Sequence, residues 1–266
     1  MKIGIFDSGL GGLMIAKHIV RALPAYDFIY LGDTERAPYG NRSPQVVYAF
    51  LQEAVEFLFS KDCALVIVAC NTASAQALRR IQREYLPRHH PARRVLGVLV
   101  PTVEAVVASG AHRVGVLATA GTVATGAFTR ELKKAAPAAK VWERAAPLLV
   151  PMIELDELAH VDAVLARYLS PLLAKHIDTL ILGCTHYPLV ARRIRKLVGP
   201  NVRVVAQTDL IGGKLFRYLA RHPEIERTLS RRGKVALLVT DLTPTFAALA
   251  RRWFGPGAKP KVVQYY

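Results

Sequence analysis

Apolar residues fall along this chain in short unbroken runs, not in strict alternation with polar ones. The runs are 2–6 (KIGIF), 28–31 (FIYL), 64–69 (ALVIVA), 95–100 (VLGVLV), 113–118 (RVGVLA), 179–183 (TLILG), 202–206 (VRVVA) and 235–240 (VALLVT). They are rich in Val, Ile and Leu, the pattern of strands covered on both faces. Amphipathic stretches lie between several of them. Over 44–60, Val47, Phe50, Leu51, Ala54 and Leu58 keep helical spacing, and Ser43-Pro44 supplies a start signal. Further helix-like stretches cover 72–85 and 188–198. Strands alternating with helices predict an α/β fold with mostly parallel sheets.

An internal echo divides the pattern in two. KIGIFDSGLGG begins at residue 2 and RVGVLATAGTV at residue 113, so Gly4 matches Gly115. Two apolar runs also end on a cysteine followed by polar residues: Cys70 before Asn71 and Thr72, and Cys184 before Thr185 and His186. The two pairs of landmarks keep nearly one offset. They predict two similar α/β halves related by a pseudo-twofold axis, with a cleft between them. Ligands of open α/β sheets bind beyond the carboxyl ends of the strands. That rule places Cys70 and Cys184 on opposite walls of one pocket.

Composition narrows the setting. The chain has 266 residues, 52% of them hydrophobic, enough for a full core. The opening MKIGIFDSGLGG does not read as a secretion signal, because aspartate and glycine interrupt its short apolar stretch. No run is long enough to read as a membrane span. Three cysteines argue against a disulfide framework, so the cytoplasm is the expected compartment. Thirty-six Lys and Arg against 20 acids give a formal charge of +16, which attracts nucleic acid and small anions. The basic pairs are dispersed, however: Arg79-Arg80, Arg93-Arg94, Arg192-Arg193, Arg231-Arg232 and Arg251-Arg252. No nucleic-acid-binding motif accompanies them.

Two opposed thiols suggest proton transfer at carbon. One takes a proton from one face and the other returns a proton to the opposite face. A cysteine opening a helix is expected to have a lowered pKa from the helix dipole. Ser8, Asn71, Thr72, Thr119 and Thr185 supply donors at strand ends for substrate carboxylates. Asp7 suits an ammonium group or a supporting role beside one thiol, and His186 the same beside the other. Competing readings exist for most of these positions. Cys63, in KDCALV, reads as core. His89-His90 reads as a solvated connection, and Asp33 as either structural or a charge relay. Gly9, Gly11 and Gly12 suggest a dinucleotide loop, but Met14 stands where a third glycine belongs. Zinc would need closer cysteine spacing, and a dithiol redox pair would need the thiols at disulfide distance.

Five blocks carry a resemblance: FDSGLGGL (6–13), YLGDTERAPYGNRS (30–43), VACNTASA (68–75), PLLVPMIE (147–154) and LILGCTHYPL (180–189). In order and separation they resemble the glutamate racemases of the aspartate/glutamate racemase family. The resemblance implies cofactor-independent interconversion of L- and D-glutamate, supplying D-glutamate for peptidoglycan. It implies Cys70 and Cys184 as the acid/base pair, assisted by Asp7, His186 and Glu154. It implies Ser8, Tyr39, Gly40, Asn71, Thr72, Thr119 and Thr185, with Asp7 and His186, around the substrate. It implies one domain from 1–95 plus 207–266 and another from 96–206. A homodimer is the expected assembly, although no residue specifies it. Some family members interact with DNA gyrase, and nothing here singles out gyrase or nucleic acid. The chain departs from the family pattern at VVAQTD (204–209), where a Val-Asp-Ser type segment is usual, and at Ala146, where cysteine is common. The alternatives are a racemase or isomerase for aspartate, a hydantoin or a related carboxylate, and, more remotely, a basic nucleic-acid-binding protein.

Overall fold

The computed structural model describes residues 1–266. Ten strands form two sheets. They are β1 (Lys2–Asp7), β2 (Phe28–Gly32), β3 (Cys63–Val68), β4 (Arg94–Gly97), β5 (Arg113–Ala118), β6 (Lys140–Ala145), β7 (Thr179–Gly183), β8 (Arg203–Val205), β9 (Val235–Val239) and β10 (Lys261–Val262). One sheet has the order β10-β9-β2-β1-β3-β4 and the other β6-β5-β7-β8. Every pairing is parallel. The central strands β1, β2, β3 and β7 are almost wholly buried, as their unbroken apolar runs predict.

The two sheets share a strand plan. In the first, β1 lies between β2 and β3, and β4 follows β3; in the second, β5 lies between β6 and β7, and β8 follows β7. Gly4 and Gly115 therefore sit on equivalent strands, and Cys70 and Cys184 follow equivalent strands. The internal echo corresponds to a repeated βαβ winding order. Strands β9 and β10 extend only the first sheet.

Helix α1 (Gly12–Ala22) packs Leu13, Ile15 and Ile19 beside Ile3, Ile5 and Tyr30 in a core that continues to Leu117, Leu180 and Leu182 of the second sheet. Helix α2 (Pro44–Ser60) begins where expected, with the Ser43 side chain accepting from the Val46 N–H. It lays Val47, Leu51, Ala54 and Leu58 over Phe6, Leu31 and Val66 of the first sheet. Cys63 lies fully buried in that layer, in keeping with its reading as core.

Several elements differ from the sequence pattern. The run 95–100 stops being a strand at Gly97, and a helix begins at Leu99. Pro101 sits in the first turn of that helix, where a missing N–H costs no hydrogen bond. The stretch 72–85 is not one helix. Helix α3 (Asn71–Gln76) breaks at Ala77, a π-helical turn covers Ile81–Tyr85, and a last turn covers Leu86–His89. His90 is also less solvated than predicted. It is half-buried, and its Nε2 lies 2.6 Å from Glu56 Oε1. Two strands, β6 and β10, lie outside the predicted set. No helix is long and apolar enough to cross a membrane.

Candidate active site

The residues just beyond the carboxyl ends of β1, β3, β5 and β7 line one pocket, Ser8, Cys70, Thr119 and Cys184 among them. After β3 the chain turns at Cys70, whose Sγ caps α3 by accepting the Ala73 N–H at 3.4 Å. After β7, Cys184 and Thr185 enter a tight turn. A 3-10 turn (Tyr187–Val190) follows, and only then the helix Ala191–Val198. Cys184 therefore does not cap an α-helix directly, unlike Cys70. Both thiols are 5% exposed and free of disulfides, and both line one narrow pocket of about 60 Å3. A larger cavity of about 310 Å3 contains neither cysteine, and residues such as Arg79, Leu99, Arg130 and Lys214 line it.

Each thiol has its own polar neighbours. Ser8 Oγ lies 3.3 Å from Cys70 Sγ. His186 Nδ1 lies 3.8 Å from Cys184 Sγ, and His186 Nε2 lies 2.8 Å from Glu154 Oε1. Cys184, His186 and Glu154 thus form a chain of side chains ending at the pocket. The ring of His186 is further fixed edge-on against Trp253.

Asp7 stands behind this wall, with no exposed surface. Its Oδ2 accepts the Gly9 and Gly12 N–H groups, each at 3.0 Å, and its Oδ1 accepts from Thr185 Oγ1 at 3.4 Å. The glycines of DSGLGG permit this contact. A Cβ on Gly12 would lie 2.2 Å from Asp7 Cβ, and one on Gly11 would lie 2.5 Å from both His186 Nδ1 and Thr185 Oγ1. Close approach, not a dinucleotide, accounts for Gly11 and Gly12.

Burial sets the proton affinities. It pushes the Asp7 carboxyl up to about 6, against the opposing pull of His186 and the two backbone donors. It pushes the Cys70 thiol up to about 12, aided by the nearby Asp7 carboxylate and only partly offset by Ser8 and the Ala73 N–H. This corrects the expectation of a lowered pKa at Cys70. Helix α3 spans only six residues, and the loss of solvent outweighs its donors. For His186, burial opposes the charged form. The hydrogen bonds to Cys184 and Glu154 outweigh it, and the ring is raised to about 10. These partners favour the charged form of His186, held between the Cys184 sulfur and the Glu154 carboxylate.

The predicted site residues converge. Ser8, Tyr39, Gly40, Cys70, Asn71, Thr72, Thr119, Glu154, Cys184, Thr185 and His186 all line the pocket. Asp7 alone does not, and reaches it through Thr185. Thr72 Oγ1 and Thr119 Oγ1 lie 2.9 Å apart, joining the turn after β3 to the turn after β5. One partner escaped sequence reasoning. Gln207 and Asn71 exchange two amide hydrogen bonds, of 2.8 and 2.6 Å, in a buried pair. Gln207 follows β8 at its carboxyl end, and the strand-end rule that picked the other residues would have found it. No group of three or more His, Cys, Asp or Glu side chains is arranged to hold a metal ion.

Comparison with known proteins gives the same direction. Residues 4–211 match the model of the Asp/Glu/hydantoin racemase family. A glutamate racemase of Geobacter metallireducens is 40% identical over 261 residues, which are 95% of this chain and 92% of the relative. The crystal structure of a glutamate racemase isoform from Bacillus anthracis superimposes with a TM-score of 0.89 at 33% identity, over 99% of this chain and 97% of that one. A glutamate racemase from Francisella tularensis, solved in complex with D-glutamate, gives 0.88 at 30% identity, over 99% and 97%. With a repeated parallel fold, two thiols at equivalent strand ends and a family match over most of its length, the chain belongs to the Asp/Glu/hydantoin racemase family.

Proposed function

We propose that this enzyme interconverts L- and D-glutamate by a two-thiol mechanism and so supplies D-glutamate for peptidoglycan. The observation that carries the proposal is that Cys70 and Cys184 follow equivalent strands of the repeat and line one pocket. The glutamate racemases similar over nearly the whole chain support glutamate as the substrate. The division into 1–95 plus 207–266 and 96–206 is part of the same reading. It is supported by the membership of the two sheets, since residues 113–205 supply all four strands of the second.

The proton balance is simple. One cysteine, as thiolate, removes the α-proton and becomes a thiol. The other, as thiol, delivers its proton to the opposite face and becomes a thiolate. The stereocentre inverts and no cofactor enters the steps. Cys70, held neutral by burial, is the donor in the resting state. Cys184 faces the His186 imidazolium, which serves as its counter-charge in the thiolate form. The reverse reaction exchanges these roles. Ser8 and Asp7 support proton movement at Cys70, and His186 with Glu154 does so at Cys184. Tyr39, Gly40, Asn71, Thr72, Thr119 and Thr185 hold the substrate. The hydroxyls of Thr72 and Thr119, and the backbone donors around them, face the carboxylates and oppose charge developing on the α-carbon. A thiol is far more acidic than an amino-acid α-carbon, and each unit of mismatch costs about 1.4 kcal/mol. The buried pocket lowers that barrier by excluding water and fixing its donors in advance.

A chiral assay with a substrate panel tests the assignment. Glutamate of either hand is expected to reach an equal mixture without added cofactor, while aspartate and hydantoins stay unchanged. Inversion of aspartate or a hydantoin in preference to glutamate would move the enzyme to another branch of its family. Gel filtration with light scattering tests the homodimer that we propose as its assembly.

A further inference from the structure

Asp33 has no exposed surface and lies outside the pocket, yet it anchors one of the pocket's walls. We propose that Tyr265 and Tyr266 clamp Arg36, and that Arg36 and Asp33 thereby hold the Tyr39–Asn41 turn where it can receive substrate. The connections are continuous. Asp33 Oδ1 accepts from Thr240 Oγ1 at 3.2 Å, beyond β9. Asp33 Oδ2 accepts from the Tyr39 hydroxyl and from Arg36 Nε, the latter at 2.7 Å. Arg36 Nη1 donates to Glu53 Oε2 of α2 at 2.5 Å, and Nη2 donates to the Tyr265 hydroxyl at 3.1 Å. The guanidinium also lies 4.0 Å from the ring centre of Phe50 and 3.9 Å from that of Tyr266.

Strand β10 sets the position of the two tyrosines. Val262 pairs with Val239, and the Val263 N–H donates to the Val239 carbonyl at 2.9 Å. Tyr265 then stacks on Phe57 of α2, with ring centres 5.0 Å apart. On the pocket side there is little slack. A Cβ on Gly40 would lie 3.1 Å from Thr119 Cβ, so a small shift of the turn changes the pocket wall. Arg36 is the cation paired with the buried Asp33 carboxylate, and removing one partner of a buried pair is strongly destabilising. A Lys at position 36 would keep the charge but lose the planar fork and the stacking. Asp33, Arg36, Tyr265 and Tyr266 are thus positioning residues, remote from the reacting atoms.

The test uses the full chain with Tyr266→Ala, Tyr265→Phe/Tyr266→Ala and Arg36→Lys. Amide hydrogen exchange and steady-state kinetics are both read. In the double variant, amides of 34–42 are expected to exchange about tenfold faster while those of β1 and β3 keep their rates. KM is expected to rise about tenfold with kcat within about twofold, because ordering the turn is then charged to binding. Arg36→Lys should behave like the double variant. The milder Tyr265→Phe, which removes one hydroxyl, serves if a larger change prevents folding, and its expected shifts have the same direction. Unchanged exchange over 34–42, equal acceleration throughout the sheet, or faster exchange with an unaltered KM would each overturn the proposal. Its substrate half rests on Tyr39 and Gly40 as substrate contacts. If the wild type failed to racemise glutamate, that reading would fall alone, and the exchange data would still decide the clamp.

Discussion

Asp7 shows how burial can set one side chain against stability. Its folded pKa of about 6 lies above the ordinary 3.8, so the folded state holds the proton more tightly than the unfolded chain. Its contribution to stability is therefore full below about pH 4 and is lost as pH rises through 6. Near neutrality this amounts to about 3 kcal/mol against the fold. Asp7→Asn is expected to raise the thermal midpoint at pH 7 by several degrees and to change it little at pH 4. Differential scanning calorimetry at the two pH values checks this. The same substitution should slow turnover by about 100-fold or more. In the wild type, kcat/KM should climb with an apparent pKa near 6, and that limb should vanish in Asp7→Asn. A limb that persists in the variant assigns the titration elsewhere. The strand-end positions of the two thiols, Asp7 and His186 were legible in the sequence, whereas Glu154 entered only through the family resemblance. The proton affinities of Asp7 and Cys70 were not, because burial decides them and sequence does not report the depth of a side chain. Gln207 was passed over although it follows β8 at its carboxyl end; only its bond to Asn71, 136 residues away, needed the fold to be seen.

At the scale of elements, the turn after β1 is governed by its glycines. Gly11→Ala would drive a methyl into His186 and Thr185, two groups that belong to the pocket. A displacement of this size is expected to lower kcat by about 100-fold. Gly110 is the contrast. It has φ +73, and a methyl there would meet no atom within 4 Å, so Gly110→Ala costs backbone strain alone. It should lose about 1 kcal/mol of stability with unchanged activity. Steady-state rates and urea melts of the two variants separate the effects. The sequence pattern located the strands with continuous apolar runs, since these lie in sheet interiors. It missed β6 because KVWERA carries Lys, Glu and Arg and is only partly covered. It missed β10 because two exposed residues, Lys261 and Val262, carry no periodicity. It extended β4 into a helix because a short apolar run has no period to tell the two apart.

For the whole molecule, the formal +16 is spread out. Arg80 pairs with Glu84, Arg193 with Asp162, Arg252 with Asp156 and Arg231 with Glu226. Exposed pairs of this kind add little to stability. The basic pairs are dispersed along the chain and form no motif that reads sequence. The expected result is weak, sequence-independent DNA binding that disappears by about 200 mM salt, unaffected by serine at either cysteine. Fluorescence anisotropy with duplexes of two sequences checks it, and salt-resistant binding to one sequence would require a dedicated site. The repeated strand order was the most legible feature of the molecule, because Gly4 and Gly115, then Cys70 and Cys184, mark equivalent points. That repeat brings the thiols together, and the most direct test of the account addresses them. The measurement is α-proton exchange in deuterated water, without added cofactor, starting from L- and D-glutamate separately, with wild type beside Cys70→Ser and Cys184→Ser. The account predicts inversion of both enantiomers with deuterium incorporation in the wild type. In the variants it predicts loss of inversion and opposite handedness of any residual exchange. Undiminished racemisation in either serine variant, or the same handedness of exchange in both, would contradict it.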